Sequence, residues 1–463
     1  MTIDEFARKL RARETTAREL TERCLQRIAD LQPRLNAFIH VMAEDARRDA
    51  DTADRELAAR RDRGPLHGVP IAIKDLIDIK GVPTTAASRV REGHLASADA
   101  PVITHLRNTG AVLIGKTNLD EFAFGTTSEN SAFGLVRNPI DSTRTPGGSS
   151  GGSAVAVATG MALAALGTDT GGSIRIPAAA CGIVGVKPTI GEISTEGVVP
   201  LSRTFDHLGP FARTVGDAWL VYRALLGKSD ATANTGGADP PVSPKPRSGE
   251  GGSGSAKGMR LGIPRGYLTD LLDADVRARF DEAVVALRGA GAQTRDVNVP
   301  HAATTPAVYI HIHSSEGATY HARTLDTHAD RYTPVVRRRL EVGRYVLAQD
   351  YVRAMEGREV LRRDVDAALG DCDALILPTL PIAAPPIGAE SVMVNAKEEP
   401  VRALMLRLTQ LFNVTGHPAI SLPCGVTSQG LPIGLQMVGH RGQTEALLAT
   451  AHRVEGVLSV RAV

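Results

Sequence analysis

The chain has little cysteine. Cys24, Cys181, Cys372 and Cys424 are the four in 463 residues, far apart and with no C-x-x-C pair. That excludes a disulfide framework and a cysteine-based zinc site, and it fits a reducing compartment, so a cytoplasmic location is expected. An excess of charge of one sign is also lacking. Against 53 basic side chains stand 51 acidic ones, a net charge of +2, so nothing electrostatic points to nucleic acid as the partner. No apolar run approaches about 18 residues, which removes a transmembrane helix from the expectations. Met1-Thr-Ile-Asp-Glu5 lacks the basic patch and apolar stretch of a secretory signal. What is present is ordinary globular composition, long enough for one large α/β unit or for two or three domains.

Residues 4–60 read as helices. Leu20, Cys24, Ile28 and Leu31 recur at helical spacing, Pro33 should end that helix, and a charged helix follows through residue 61. Ile71-Ala-Ile73 reads as a buried strand leading into Lys74. Val102–Thr109 reads as a helix, Ala111–Ile114 as a strand, and Ala154–Leu163 as a small-residue helix. Leu166–Thr168 and Gly182–Val186 read as further strands. This alternation predicts an α/β fold with a covered sheet. Residues 228–258 are Gly-, Ser- and Pro-rich with almost no large apolar side chain, and are expected to form a flexible surface loop within one domain spanning 1–463, with a domain linker as the other reading. Beyond it, 258–299 reads as strand, helix, strand, and 307–370 as long charged helices. The runs 373–378 and 418–423 read as strands ending at prolines, and 431–438 as another strand. In these terms 1–60 is a helical entry, 61–220 a core, and 259–463 the rest of the sheet with its covering helices.

The chemistry concentrates in two Ser/Gly blocks, Thr145-Pro-Gly-Gly-Ser-Ser-Gly-Gly-Ser153 and Gly167-Thr-Asp-Thr-Gly-Gly-Ser-Ile-Arg175, and in a lysine within apolar sequence, Val69-Pro-Ile-Ala-Ile-Lys-Asp75. Together they offer hydroxyls, a cluster of backbone N–H donors and one base. Two other motifs compete. Gly110-Ala-Val-Leu-Ile-Gly-Lys-Thr117 has the letters of a phosphate loop, but its four middle residues favour a strand, not a turn of exposed amides. Gly147-Gly-Ser-Ser-Gly151 has the letters of a nucleophile elbow, but loop sequence precedes it where that motif needs a strand. A plain flexible linker is the bland reading of such blocks, and the apolar, patterned sequence around both argues against it.

Taken together, the blocks and the lysine resemble the amidase signature family. The resemblance runs through Gly-Val-Pro-Ile-Ala-Ile-Lys74-Asp, Gly-Lys-Thr-Asn118, Pro-Gly-Gly-Ser149-Ser-Gly-Gly-Ser and Gly-Thr-Asp-Thr-Gly-Gly-Ser173-Ile-Arg-Ile-Pro-Ala178. It continues through Gly185-Val-Lys-Pro-Thr189, Gly209-Pro, Asn413–Cys424 and Gly430–Gly439. It implies the family fold, a large mixed central sheet covered by helices on both faces. It also implies a Ser–cis-Ser–Lys triad, with Ser173 as nucleophile, Ser149 bridging across a cis Gly148–Ser149 bond, and Lys74 as base. The amides of Thr170, Gly171, Gly172 and Ser173 would form the oxyanion hole. Phe124, Gly125 and Ser149 match positions at the substrate, although a core phenylalanine is an equal reading of Phe124. No metal or organic cofactor is implied.

The chemistry sets conditions on these roles. Lysine is a base only when neutral, and bringing its pKa from about 10.4 to neutrality takes about 4 kcal/mol. Burial supplies such a shift, and a carboxylate alongside would oppose it, so Asp75 should point away from Lys74. Ser150 reads either as a supporting hydrogen-bond partner or as a solvated serine. Asp169 and Arg175 read as an ion pair that holds the turn. His311 and His313 suggest a metal to the eye, but at this spacing on a helix they diverge, so lining or packing roles are expected.

The leading function is hydrolysis of a small-molecule carboxylic amide, with ester and carbamate (urethane) cleavage open to the same machinery. An alternative is the A subunit of glutamyl-tRNA(Gln)/aspartyl-tRNA(Asn) amidotransferase, which frees ammonia from glutamine for a partner protein. Against it stand Ile176, where that protein commonly has glutamine, and the long Gly/Ser/Pro segment. A third alternative is a catalytically inactive binding protein on the same fold. A homodimer is the family tendency.

Overall fold

The computed structural model describes residues 1–227 and 255–459. The segment expected to be a flexible loop therefore lies outside the described residues up to residue 254.

Among the described residues the strands are β1 (Phe38–Val41), β2 (Pro70–Lys74), β3 (Val112–Thr117), β4 (Ala164–Asp169), β5 (Val184–Lys187), β6 (His207–Ala212) and β7 (Arg260–Pro264). These are followed by β8 (Gln293–Val297), β9 (Ala374–Pro378), β10 (Ser391–Val394), β11 (Lys397–Pro400), β12 (Ala419–Val426) and β13 (Pro432–Val438). Eleven of them form one sheet in the order β1-β3-β2-β4-β6-β5-β12-β13-β9-β7-β8, while β10 and β11 pair apart. The sheet is mixed. β2 runs parallel to both β3 and β4, β7 parallel to β8 and β9, and the joints between these groups are antiparallel. Strands β2, β3, β4 and β6 are buried at every residue, which requires cover on both faces. The apolar core is continuous across the sheet, from Ile3 and Phe6 through Ile71, Leu113 and Leu166 to Ile420, Leu435 and Leu448. It thus draws on chain from both sides of residues 228–254.

Several local expectations need correction. Pro33 does not end its helix. That helix runs Ala17–Leu35, with Pro33 in its last turn and the left-handed Asn36 as its stop. The segment 4–60 is not all helical, because β1 leaves it to pair with β3 at the sheet edge. The small-residue helix runs Gly151–Ala158, starting directly after the two serines and stopping before the positive-φ Gly160. Strand β12 does not end at Pro423; it passes through that residue with a register shift and reaches Val426. Strand β6 and the helix Val215–Leu225 have no counterpart in the sequence reading. Pro210 masked β6, yet β5 pairs only with Phe211 and Ala212, so Pro210 sits where one side of β6 needs no donor.

This topology builds a site edge. The parallel strands β2 and β4 end together, with Ile73 opposite Leu166, so Lys74 emerges beside Thr168. Open α/β sheets place chemistry at such carboxyl ends of parallel strands.

Candidate active site

Lys74 is fully buried at the end of β2. Its Nζ lies 2.9 Å from Ser149 Oγ, 2.7 Å from Ser150 Oγ and 2.8 Å from Thr168 Oγ1. Burial pushes the lysine pKa down to about 7, against the pull of Asp120, Asp169 and Asp206. Asp75 points away, as the chemistry required. Its carboxylate pairs with Lys116 Nζ at 2.9 Å and accepts from the Thr85 amide at 3.0 Å. The same contact disposes of the phosphate-loop pattern. Residues 112–117 are strand β3, and Lys116 turns inward to Asp75, the Thr84 hydroxyl and the Pro83 carbonyl.

The hydrogen bonds around Nζ fix the direction of the Ser150 hydroxyl. Ser150 Oγ donates to the Thr168 carbonyl at 3.2 Å, so it can only accept from the lysine. A neutral amine has two N–H bonds and one lone pair. With Ser150 as one acceptor, the second N–H and the lone pair are left to the hydroxyls of Ser149 and Thr168. Ser150 is therefore a buried hydrogen-bond partner, not a solvated serine.

The Gly148–Ser149 peptide bond is cis. Asp120 holds the loop beneath it. Its carboxylate accepts from the amides of Ser128 and Asn130, and its own amide donates to the Ser149 carbonyl at 3.2 Å. The Ser150 amide donates to the Ser173 carbonyl at 3.3 Å, which sets the two serine segments side by side. No strand precedes Gly147, in contrast to a nucleophile elbow.

Ser173 follows a turn, Thr170–Gly172, with Gly172 at φ +138°, a conformation that side chains rarely adopt. A Cβ there would also lie 2.3 Å from Thr409 Oγ1. Among the described residues, the amides of Gly171, Gly172 and Ser173 donate to no protein acceptor. The turn is fixed from three sides. Thr170 Oγ1 donates to Asp206 at 2.6 Å, and Thr409 Oγ1 donates to the Gly171 carbonyl at 2.6 Å. Asp169 and Arg175 form a fully buried pair at 3.0 Å, and Arg175 also donates to Thr409, Asn413 and Gln436. Burial works to raise the Asp169 pKa, but Arg175 and its neighbours hold it well below the usual carboxylate range. Asp206, by contrast, is pushed up to about 6 by burial.

Phe124 is buried and stacks on His313, which stacks on Tyr309, which stacks on Phe205; successive ring centroids are 5.2, 4.4 and 5.6 Å apart. Gly125 packs against Asp120, whose carboxyl carbon would lie 2.1 Å from a Cβ there. On the helix Thr305–His328, His313 faces inward while His311 is only partly buried and bonds to the Ala307 carbonyl. No group of three or more His, Cys, Asp or Glu side chains poised for a metal occurs among the described residues, nor is any helix there long and apolar enough to cross a membrane.

The sequence reading missed Thr168, Asp120, Asp206 and the buried Lys187, whose Nζ reaches the His417 carbonyl at 2.5 Å and lies 3.2 Å from His207 Nε2. Thr168 carried a usable signal, since it sits in a strand that ends at a reactive block. Lys187 carried one too, standing in the Gly185–Thr189 run of the resemblance, whereas Asp120 and Asp206 act through pairing between distant segments and carried none.

Known proteins resemble the chain along nearly all of its length. The family model described as Amidase matches residues 19–448. The A subunit of the glutamyl-tRNA(Gln) amidotransferase of Roseiflexus sp. (strain RS-1) is 40% identical, over 97% of this chain and 94% of that protein. A crystal structure described as an amidase superposes with a TM-score of 0.90 at 38% identity, covering 99% of this chain and all of that one. The corresponding A subunit from Thermotoga maritima superposes with a TM-score of 0.77 at 33% identity, covering 98% of this chain and 94% of that one.

Proposed function

The chain belongs to the amidase signature family of enzymes acting on carbon–nitrogen bonds, and on that premise we propose that it cleaves an amide through an acyl-enzyme on Ser173. The observation that carries this reading is a fully buried Lys74 bonded to Ser149, with its pKa brought down to about 7. A buried, neutral amine is a competent base at working pH. Ser149 passes its proton to Lys74 and takes one from Ser173, whose Oγ attacks the carbonyl carbon. The amides of Thr170, Gly171, Gly172 and Ser173 receive the oxyanion; such donors are worth about 10²–10³ in rate each. Collapse breaks the C–N bond, and the amine leaves with the proton returned through Ser149. Water then releases the acid by the same relay.

Two forms of this activity differ in the owner of the substrate. The names of the sequence relatives favour the amidotransferase form, in which glutamine yields ammonia to partner proteins. The stand-alone form, on simple amides, esters or urethanes, finds support in the TM-score of 0.90 with an amidase against 0.77 with the Thermotoga protein. The test is the purified chain offered glutamine and a panel of amides, esters and carbamates, alone and with the remaining subunits of a glutamyl-tRNA(Gln) amidotransferase. Turnover of simple amides alone selects the hydrolase. Glutamine turnover that appears only with partners selects the amidotransferase. Silence in every arm sinks both and leaves a binding protein.

A further inference from the structure

One cation beside the proposed site has no counter-ion. Arg402 stands on the helix Val401–Arg407 and is half-buried. Among the described residues it makes neither a hydrogen bond nor an ion pair, and the titratable groups that feel it are Tyr309, Asp120, His313 and Arg339. Its charged neighbours are all engaged. Arg407 pairs with Asp270 at 2.8 Å and stacks on Tyr267, while Glu399 pairs with Lys397 at 2.7 Å. Arg339 donates to the Phe124 carbonyl, and the Asp120 carboxylate is taken by the Ser128 and Asn130 amides.

Position gives the vacant guanidinium its meaning. With Tyr309, His313 and Leu406, Arg402 lines a cavity of about 340 Å³. Leu406 is one helical turn on, on the same face. A Cβ on Gly171 would lie 3.0 Å from Leu406 Cδ2 and 2.6 Å from Tyr309 Oη, so this wall abuts the turn leading to Ser173. Asp120, whose charge acts on Arg402, has a carboxylate oxygen that would lie 2.4 Å from a Cβ on Gly148, next to Ser149. Arg402 thus shares its cavity with Tyr309 and Leu406, the two side chains that pack against the turn leading to Ser173. Beside it, the buried His313 Nε2 has no partner, while Nδ1–H donates to the Tyr309 carbonyl at 3.2 Å, which leaves Nε2 an acceptor.

A guanidinium stays charged at any working pH, and leaving it partly desolvated without a partner is unfavourable. A carboxylate matches its fork with two parallel bonds. We infer that Arg402 binds a carboxylate on the acyl part of the substrate, in the cavity walled by Tyr309, His313 and Leu406, so that the enzyme selects amides of dicarboxylic acids over neutral amides. This rests on the reading of Ser173 as the residue acylated, and adds the class of acyl group it accepts.

The test pairs each of succinamate, glutaramate and adipamate with the neutral primary amide of the same carbon count, reading ammonia release. A second arm titrates the corresponding dicarboxylates calorimetrically and needs no turnover. One acid should exceed its neutral partner in kcat/KM, and that ratio should fall about 10- to 100-fold in Arg402→Met, the range for a lost hydrogen bond to a charged group. Dicarboxylate binding should weaken by at least about tenfold alongside it. Arg402→Lys, which keeps the charge and loses the fork, should fall between, and it guards against a misfolded methionine variant. An absent preference in all three pairs, or a ratio and a dicarboxylate affinity that Arg402→Met does not move, overturns the inference. If no amide is hydrolysed but the dicarboxylate binds through Arg402, the acylation reading has failed and the anion site stands.

Discussion

Lys74 has more hydroxyl neighbours than a neutral amine has protons, and that surplus organises the chemistry at its Nζ. Ser150 takes one N–H bond, and the second N–H and the lone pair are left to Ser149 and Thr168. The same amine carries two predictions. Ser150 Oγ accepts from Nζ and so favours the ammonium form. Ser150→Ala should therefore move the acid limb of the kcat/KM profile to lower pH and reduce its plateau by about tenfold, the loss of one hydrogen bond to a charged group. A pH–rate profile reads both. The second prediction concerns stability. The unfolded chain holds the lysine proton up to about pH 10.4, whereas the folded chain releases it near 7. Folding between those values sheds a proton, so a higher pH favours the fold, by about 1.4 kcal/mol per pH unit from this group. Urea midpoints of wild type and Lys74→Met should diverge with that slope between pH 7 and 10. Parallel curves would mean that the amine keeps its proton on folding. At this scale the sequence was legible where chemistry is written in adjacent letters, as at Lys74, Ser149 and Ser173. It was silent at Asp206 and Arg402, which meet their neighbours only through the fold.

At the scale of elements, the helix Gly151–Ala158 is what brings the serines to the lysine. It packs on β2 and β4 and starts immediately after Ser150. Its first turn is glycine because the backbone of other segments lies against it. A Cβ on Gly152 would lie 2.3 Å from the Ala37 carbonyl oxygen and 2.4 Å from that of Asn118. Backbone cannot yield as a side chain can, so Gly152→Ala should destabilise the protein by about 3 kcal/mol or more. The measurement is the urea midpoint; a change below about 1 kcal/mol would contradict this packing. The neighbouring elements show where sequence reading stops. The strands β2, β3 and β4 were legible as short apolar runs at the ends of helical patterns. β6 was not, because Pro210 and Gly209 look like a turn when strand pairing is out of view. The helix boundary at 151 was misplaced because two glycines look like loop unless the backbone crowding that demands them is seen.

The whole molecule is tied together at Arg175. This fully buried side chain reaches Asp169 at the end of β4, Thr409 and Asn413 near the helix Gln410–Val414, and Gln436 in β13. It thereby fixes the Ser173 turn to chain from the far side of residues 228–254. Removing one partner of a buried pair leaves the other charge stranded, so Arg175→Met should cost about 3–5 kcal/mol. Differential scanning calorimetry checks it, and a loss within about 1 kcal/mol would show that the turn is held elsewhere. Everything proposed about function requires Ser173 to be deprotonated by way of Ser149 by an amine that turns neutral near pH 7. A fluorophosphonate probe tests this directly, with the adduct located by mass spectrometry and its rate followed from about pH 5 to 9. The account predicts one adduct, on Ser173, forming at a rate that rises through about pH 7 and levels off above it. An adduct on any other residue, or a rate on Ser173 that does not change with pH, would contradict it.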